Sequence, residues 1–203
     1  MSKQELRLAG SGGQGVILAS VILAEAAVLA GKYAAQSQSY GPEARGGACR
    51  AETLISDSPI GFTKVQRPGL LMALTQKALD QYARDLPEGC TLLVDEELAP
   101  PEAAGCAVVR APILKTARET VGRQQTANIV AVGCINALLK LTDPETLKRA
   151  VLMHVPKGTE ALNMRALEEG EKLALTAPAE RSARGGAEPA AKTPRGAKGR
   201  AAG

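Results

Sequence analysis

The chain has 203 residues, of which 45% are hydrophobic, enough for one sizeable buried core. Its net charge of +4 sits entirely in residues 176–203, where six basic side chains face two acidic ones, so the rest is neutral and offers no basic surface for nucleic acid. One Phe, three Tyr and no Trp leave few platforms for stacking on bases, and the core must be built from Leu, Ile, Val, Ala and Met.

In chain order, Glu5–Ala9 reads as a strand and Val16–Ala30 as an apolar helix. Between them Gly10-Ser11-Gly12-Gly13-Gln14-Gly15 makes a Gly-x-Gly-x-x-Gly turn, whose backbone N–H groups would converge at a helix N-terminus, where anions are favoured. An extended run at Tyr33–Ser39 precedes a second glycine segment, Tyr40-Gly41-Pro42-Glu43-Ala44-Arg45-Gly46-Gly47, and then a strand at Ala48–Ser56. A strand at Gly69–Thr75 leads into a helix from Gln76 to about Leu86, and two compact apolar strands follow at Cys90–Asp95 and Cys106–Arg110. This alternation predicts a single α/β domain: a three-layer, Rossmann-like α/β/α sandwich with a mostly parallel sheet.

The C-terminal third predicts helices at Gln124–Leu141, from Pro144 to His154, and at Lys157–Leu173. Thr142-Asp143-Pro144-Glu145 marks the middle helix as a Thr-x-x-Glu capping box with Pro just inside the start. The domain is expected to end near residue 175. Residues 176–203, rich in Ala, Gly, Pro and basic side chains, are expected to be a disordered tail.

No run approaches the roughly 20 apolar residues that cross a bilayer, and no signal-peptide core opens the chain, so a cytoplasmic place away from membranes is expected. Cys49, Cys90, Cys106 and Cys134 are widely spaced, contain no Cys-x-x-Cys pair and read as buried reduced thiols.

The first glycine turn matches a dinucleotide fingerprint in letters and in strand-then-helix context. The acid expected about 20 residues on is missing, because that region reads Tyr33-Ala34-Ala35-Gln36-Ser37-Gln38-Ser39, and no Gly-Lys-Ser/Thr ending suggests a P-loop. On the residues alone, the turn is either an anion or cofactor-edge contact or a tight packing turn. In the second segment Arg45 is the best-placed donor for a phosphate or carboxylate, the alternative being a local pair with Glu43. His154 reads as a helix-end residue and Cys49 as a strand thiol, while Asp95 and Glu96 read as caps or as grips for a ligand hydroxyl. Asn128 reads as an N-terminal hydrogen bond or a loop-to-helix contact near an interface. No catalytic acid, base, nucleophile or metal-ligand set stands out.

Taken together, Gly-Ser-Gly-Gly-Gln-Gly-Val and the later Gln-Ser-Tyr-Gly-Pro-Glu-Ala-Arg-Gly-Gly resemble the gamma subunit of ferredoxin-dependent 2-oxoacid oxidoreductases. Ile55-Ser56, Pro59-Ile60, Thr126-Ala127-Asn128 and Lys157-Gly158 through Asn163 follow the same layout, over about residues 4–174. The resemblance implies a complex, favouring 2-oxoglutarate, that oxidatively decarboxylates a 2-oxoacid to its acyl-CoA while reducing ferredoxin. It implies that thiamine diphosphate, coenzyme A and iron–sulfur clusters serve on alpha and beta catalytic subunits, with or without a small ferredoxin-like subunit, and that this chain alone binds no cofactor. Its glycine loops, with Asn128, would face the shared interface. A stand-alone nucleotide- or flavin-binding α/β protein is the alternative reading, and a purely structural interaction domain is a third.

Overall fold

The computed structural model describes residues 3–39, 48–101, 105–177 and 179–181. Strand β1 (Lys3–Ser11) leads through the first glycine turn into helix α1 (Val16–Leu29), then β2 (Tyr33–Ser39), β3 (Ala48–Ser56), β4 (Leu70–Ala73) and α2 (Gln76–Tyr82). There follow β5 (Thr91–Asp95), β6 (Ala107–Ala111), a short α3 (Ile113–Lys115) running into a π-turn at Thr116–Val121, α4 (Ala127–Leu139), α5 (Pro144–His154), α6 (Glu160–Thr176) and β7 (Ala179–Arg181).

The strands form one sheet in the order β2-β3-β1-β4-β5-β6-β7. The layered α/β expectation holds, but the sheet is mixed rather than mostly parallel. Its middle, β1-β4-β5-β6, is parallel, whereas β2-β3, β3-β1 and β6-β7 pair antiparallel. The reason is that β3 inserts antiparallel between β1 and β2, the two strands that α1 connects.

Period-2 alternation divides the core between the two faces. Leu6, Leu8, Leu70, Met72, Leu93 and Val109 point to a large cluster built with α1, α4, α5 and α6, while Ala9, Leu71, Ala73, Leu92, Val94 and Val108 join α2 on the other face. The helical layers are therefore unequal. α4 and α6 touch backbone to backbone: Gly133 and Gly170 sit where any Cβ would run into the facing helix, at Leu167 O and Val130 O respectively, and Cys134 Sγ donates to Gly170 O at 3.1 Å.

Four local expectations are corrected. α2 stops at Tyr82 instead of reaching Leu86, where Pro87 itself disfavours helical backbone. The cap of α5 is Asp143, not Thr142: Asp143 Oδ1 accepts from Thr146 N at 3.0 Å, with Pro144 in the first helical position. The tail expected to be disordered from 176 still contributes β7, paired with β6 at Val109↔Ala179; residues 182–203 lie outside the described residues. Lastly, the cysteines are not all reduced. Cys90 and Cys106, just ahead of the neighbouring strands β5 and β6, are joined by a disulfide with Cα atoms 4.9 Å apart. Cys134 is buried, with its thiol pushed up to about 12 by burial, and Cys49 is half-buried.

Candidate functional site at the glycine-loop edge

The parallel strands β1, β4 and β5 deliver their C-terminal ends to one edge of the sheet, the edge at which ligands bind in open α/β sheets. The first glycine turn, Thr75 and Asp95 lie there. Left-handed backbone falls at Gly13 (φ 87°) and at Gly15 (φ 69°), the residue capping α1, which has no side-chain cap. Gln14 folds back into the turn: its Oε1 accepts from Ser11 N at 2.7 Å and its Nε2 donates to Leu74 O at 3.5 Å, linking the loop to β4. Gly10 remains in β1, opposite Cys49, and a Cβ there would meet Gln14 Oε1.

Asn128, on the first turn of α4 and 113 residues from Gly15 in sequence, completes the brace. Its Nδ2 donates to Gly15 O at 3.3 Å and its Oδ1 accepts from Ile129 N at 2.9 Å. One side chain thus serves both a backbone N–H in the first turn of α4 and a carbonyl of the glycine turn. Beside it, Arg123, Thr126, Pro156 and Thr159 line a small cavity of about 150 Å3, bringing together the Thr126-Ala127-Asn128 and Lys157–Asn163 segments that share a resemblance in sequence. Arg123 and Gln125 were not singled out from the sequence; only their position just before Thr126 could have pointed to them.

A larger, mainly apolar cavity of about 570 Å3 lies over the turn, walled by Gly12, Gly13, Val16, Ile17, Ser39 and Cys49 among the described residues. Tyr40, Gly41, Pro42, Glu43, Arg45, Gly46 and Gly47 lie outside the described residues, but the flanking positions are fixed, since Ser39 pairs with Arg50 and Ala48 with Ser11. Ser39 and Ala48, the described residues on either side of that segment, thus lie at the same edge of the sheet as the first glycine turn. Burial raises the Cys49 thiol above its ordinary range, which argues against an activated nucleophile. His154 ends α5 with Nε2 4.0 Å from Glu25 Oε2 of α1, away from the glycine turn.

Because Gly15 already occupies left-handed space, Gly15→Ala is expected to cost about 1–2 kcal/mol from its backbone alone. The new Cβ would also lie 2.5 Å from Asn128 Nδ2. Asn128→Ala removes that obstacle along with two hydrogen bonds, so the double variant should lose less stability in urea titration than the two single losses added together. Strict additivity would show that the two residues do not brace one another.

Asp95, buried at the end of β5, accepts from Leu114 N (2.8 Å) and Glu97 N (3.3 Å), so it is a cap rather than a ligand grip. Burial, helped by the neighbouring Glu97 and Glu96 carboxylates, lifts its carboxyl above the ordinary 3.8 despite the two backbone donors. The folded chain thus holds this proton more tightly than the unfolded chain. The resulting stability is fully present below the ordinary value and is lost as pH rises through the folded one. Asp95→Asn, which cannot ionise, should gain on wild type as denaturation is repeated from about pH 3 to about pH 6; a constant difference would refute the shift.

Among the described residues no His, Cys, Asp and Glu side chains gather in threes where they could hold a metal ion, and no helix is long and apolar enough to cross a membrane. The family model described as pyruvate ferredoxin/flavodoxin oxidoreductase matches residues 5–173. The 2-oxoglutarate synthase subunit KorC of Methanocaldococcus jannaschii is 45% identical over 177 residues, which span 85% of this chain and 94% of that one. The gamma subunit of a keto/oxoacid ferredoxin oxidoreductase from Geobacter sulfurreducens superposes with a TM-score of 0.81 at 44% identity, covering 89% of this chain and 100% of the other. The fold also recurs in a 2-oxoglutarate:ferredoxin oxidoreductase from Magnetococcus marinus, solved with 2-oxoglutarate, coenzyme A and succinyl-CoA bound. There the TM-score is 0.79 at 22% identity, over 91% of this chain and 33% of that longer one. A braced glycine turn on an α/β sheet, with a family match running from residue 5 to residue 173, means that this protein belongs to the pyruvate ferredoxin/flavodoxin oxidoreductase family.

Proposed function

We propose that the chain is the gamma-type subunit of a complex that oxidatively decarboxylates a 2-oxoacid, with 2-oxoglutarate favoured, to its acyl-CoA and CO2 while ferredoxin is reduced. The observation that carries this reading is the near full-length likeness to a 2-oxoglutarate synthase subunit. A stand-alone nucleotide-binding protein is disfavoured, since that likeness is to a subunit and the acid a dinucleotide site needs is missing at the end of β2.

Thiamine diphosphate supplies the carbon–carbon bond chemistry and iron–sulfur clusters carry the electrons, each on partner alpha and beta subunits. The donor set of this chain does not fit a cluster, because Cys90 and Cys106 are spent on each other and Cys134 is buried against α6. What the chain contributes is shape. α1 is apolar apart from Ser20 and Glu25, and Ile17, Val21 and Val28 stay partly exposed, as suits a helix that a partner subunit covers. The glycine turn and Arg45 are offered as the contact for a partner or for an anionic group of coenzyme A.

The isolated chain is expected to be colourless and inactive, while the chain copurified with its partners should reduce a viologen dye in a coenzyme A-dependent way, faster with 2-oxoglutarate than with pyruvate. Arg45→Ala should weaken assembly or coenzyme A affinity in that complex by about 1.5–3 kcal/mol, with Arg45→Lys intermediate. Iron–sulfur absorbance on the single chain, or a complex indifferent to 2-oxoacids, would sink the proposal.

A further inference from the structure

The sheet face turned away from α1 is covered only in part. α2 packs over Ala9 and Ala48, and beyond it the strap of residues 57–69 crosses the strands, held where Glu5 Oε2 accepts the backbone N–H groups of Gln66 (2.7 Å) and Arg67 (2.9 Å). Between strap and strands lies a cavity of about 390 Å3, on the opposite face of the sheet from α1 and the cavity over the glycine turn.

Its lining is rich in hydrogen-bond donors. Arg7 of β1 and Arg50 of β3 both direct Nε to a single oxygen, Glu52 Oε1, at 2.8 and 3.8 Å, and Lys64 comes from the strap. Among the described residues, no hydrogen bond uses the Nη groups of either guanidinium. Ser37 and Thr63 add hydroxyls. Arg50 is further steadied by the Tyr82 ring, whose centroid is 5.5 Å from its Cζ. One carboxylate cannot neutralise three cations, so the cavity keeps an excess of positive charge. Glu52 instead acts as a positioning residue, fixing two guanidiniums side by side before any ligand arrives, which lowers the ordering cost of binding.

We propose that this cavity binds a small dianion, a phosphate monoester or a dicarboxylate, held by Arg7, Arg50 and Lys64. A flat acidic protein surface fits less well, because the charges converge in a recess of metabolite size rather than along a ridge.

The test is calorimetric titration of the full chain with inorganic phosphate and, separately, with succinate, at an ionic strength fixed by chloride. Saturable binding of either probe is expected, and which probe binds tells a phosphate from a dicarboxylate ligand. Arg50→Ala should weaken it about tenfold or more and Arg50→Lys less, because the planar fork is lost while the charge stays. Lys64→Gln, an exposed change that spares the fold, should weaken it several-fold, and Lys77→Gln on α2 should leave it unchanged. The proposal fails if neither probe saturates, if Arg50→Ala and Lys64→Gln bind as wild type, or if Lys77→Gln weakens binding equally. It also fails if no anion binds while Arg50→Ala loosens partner subunits, since the recess would then be a protein contact.

Discussion

Alanine at Gly170 is expected to cost about 3 kcal/mol, the upper part of the usual range for overpacking, and roughly 6–12 °C in melting temperature for a domain of this size. The new Cβ would run into Val130 O, a backbone atom of α4 that no rotamer change can move. α4 and α6 would have to separate, opening the large core cluster around Val130, Ala131, Ala166 and Leu167 and stretching the bond from Cys134 Sγ to Gly170 O. Gly133→Ala should do similar damage from the other side, against Leu167 O. Gly61→Ala is the control, since nothing lies within 4 Å of a Cβ there. Equal melting of the Gly170 and Gly61 variants would mean that the two helices do not touch through glycine.

Breaking the Cys90–Cys106 disulfide is the second large effect expected. The bridge spans 16 residues of sequence, and closing a loop near that length is worth about 3 kcal/mol, chiefly through the unfolded chain. Denaturation midpoints should therefore fall when dithiothreitol is added to the wild type but stay put in Cys90→Ala. Alkylation of the unfolded chain should label two cysteines before reduction and four after it. Four labelled cysteines without reductant would show that the bridge does not form in solution.

How much of this is legible in sequence depends on whether a feature is local. β1, α1 and β3–β6 announce themselves through runs of apolar residues bounded by glycine, proline or charge, and each was placed within a few residues. The cap of α5 was placed one residue early because Thr142 and Asp143 are both good caps, and only the reach of Asp143 to Thr146 decides between them. The disulfide could not be read, since a spacing of 16 says nothing until parallel pairing sets Cys90 beside Cys106. The site divides the same way. Its glycines were visible as a turn, but the bond from Asn128 to Gly15 and the sharing of Glu52 by Arg7 and Arg50 exist only after distant segments meet. The mid-helix glycines 133 and 170 acquire meaning only as a facing pair.

The central position of β1 bears on the order of events during synthesis. This strand leaves the ribosome ahead of both its neighbours, and its ladder stays open until β3 and then β4 follow, the latter ending at Ala73. The glycine turn inherits the delay, because Gln14 reaches back to Leu74 and Gly15 waits for Asn128. A nascent chain stalled before residue 128 would thus expose an apolar α1 beside an unfinished turn, the kind of surface that chaperones hold and that aggregates when unattended.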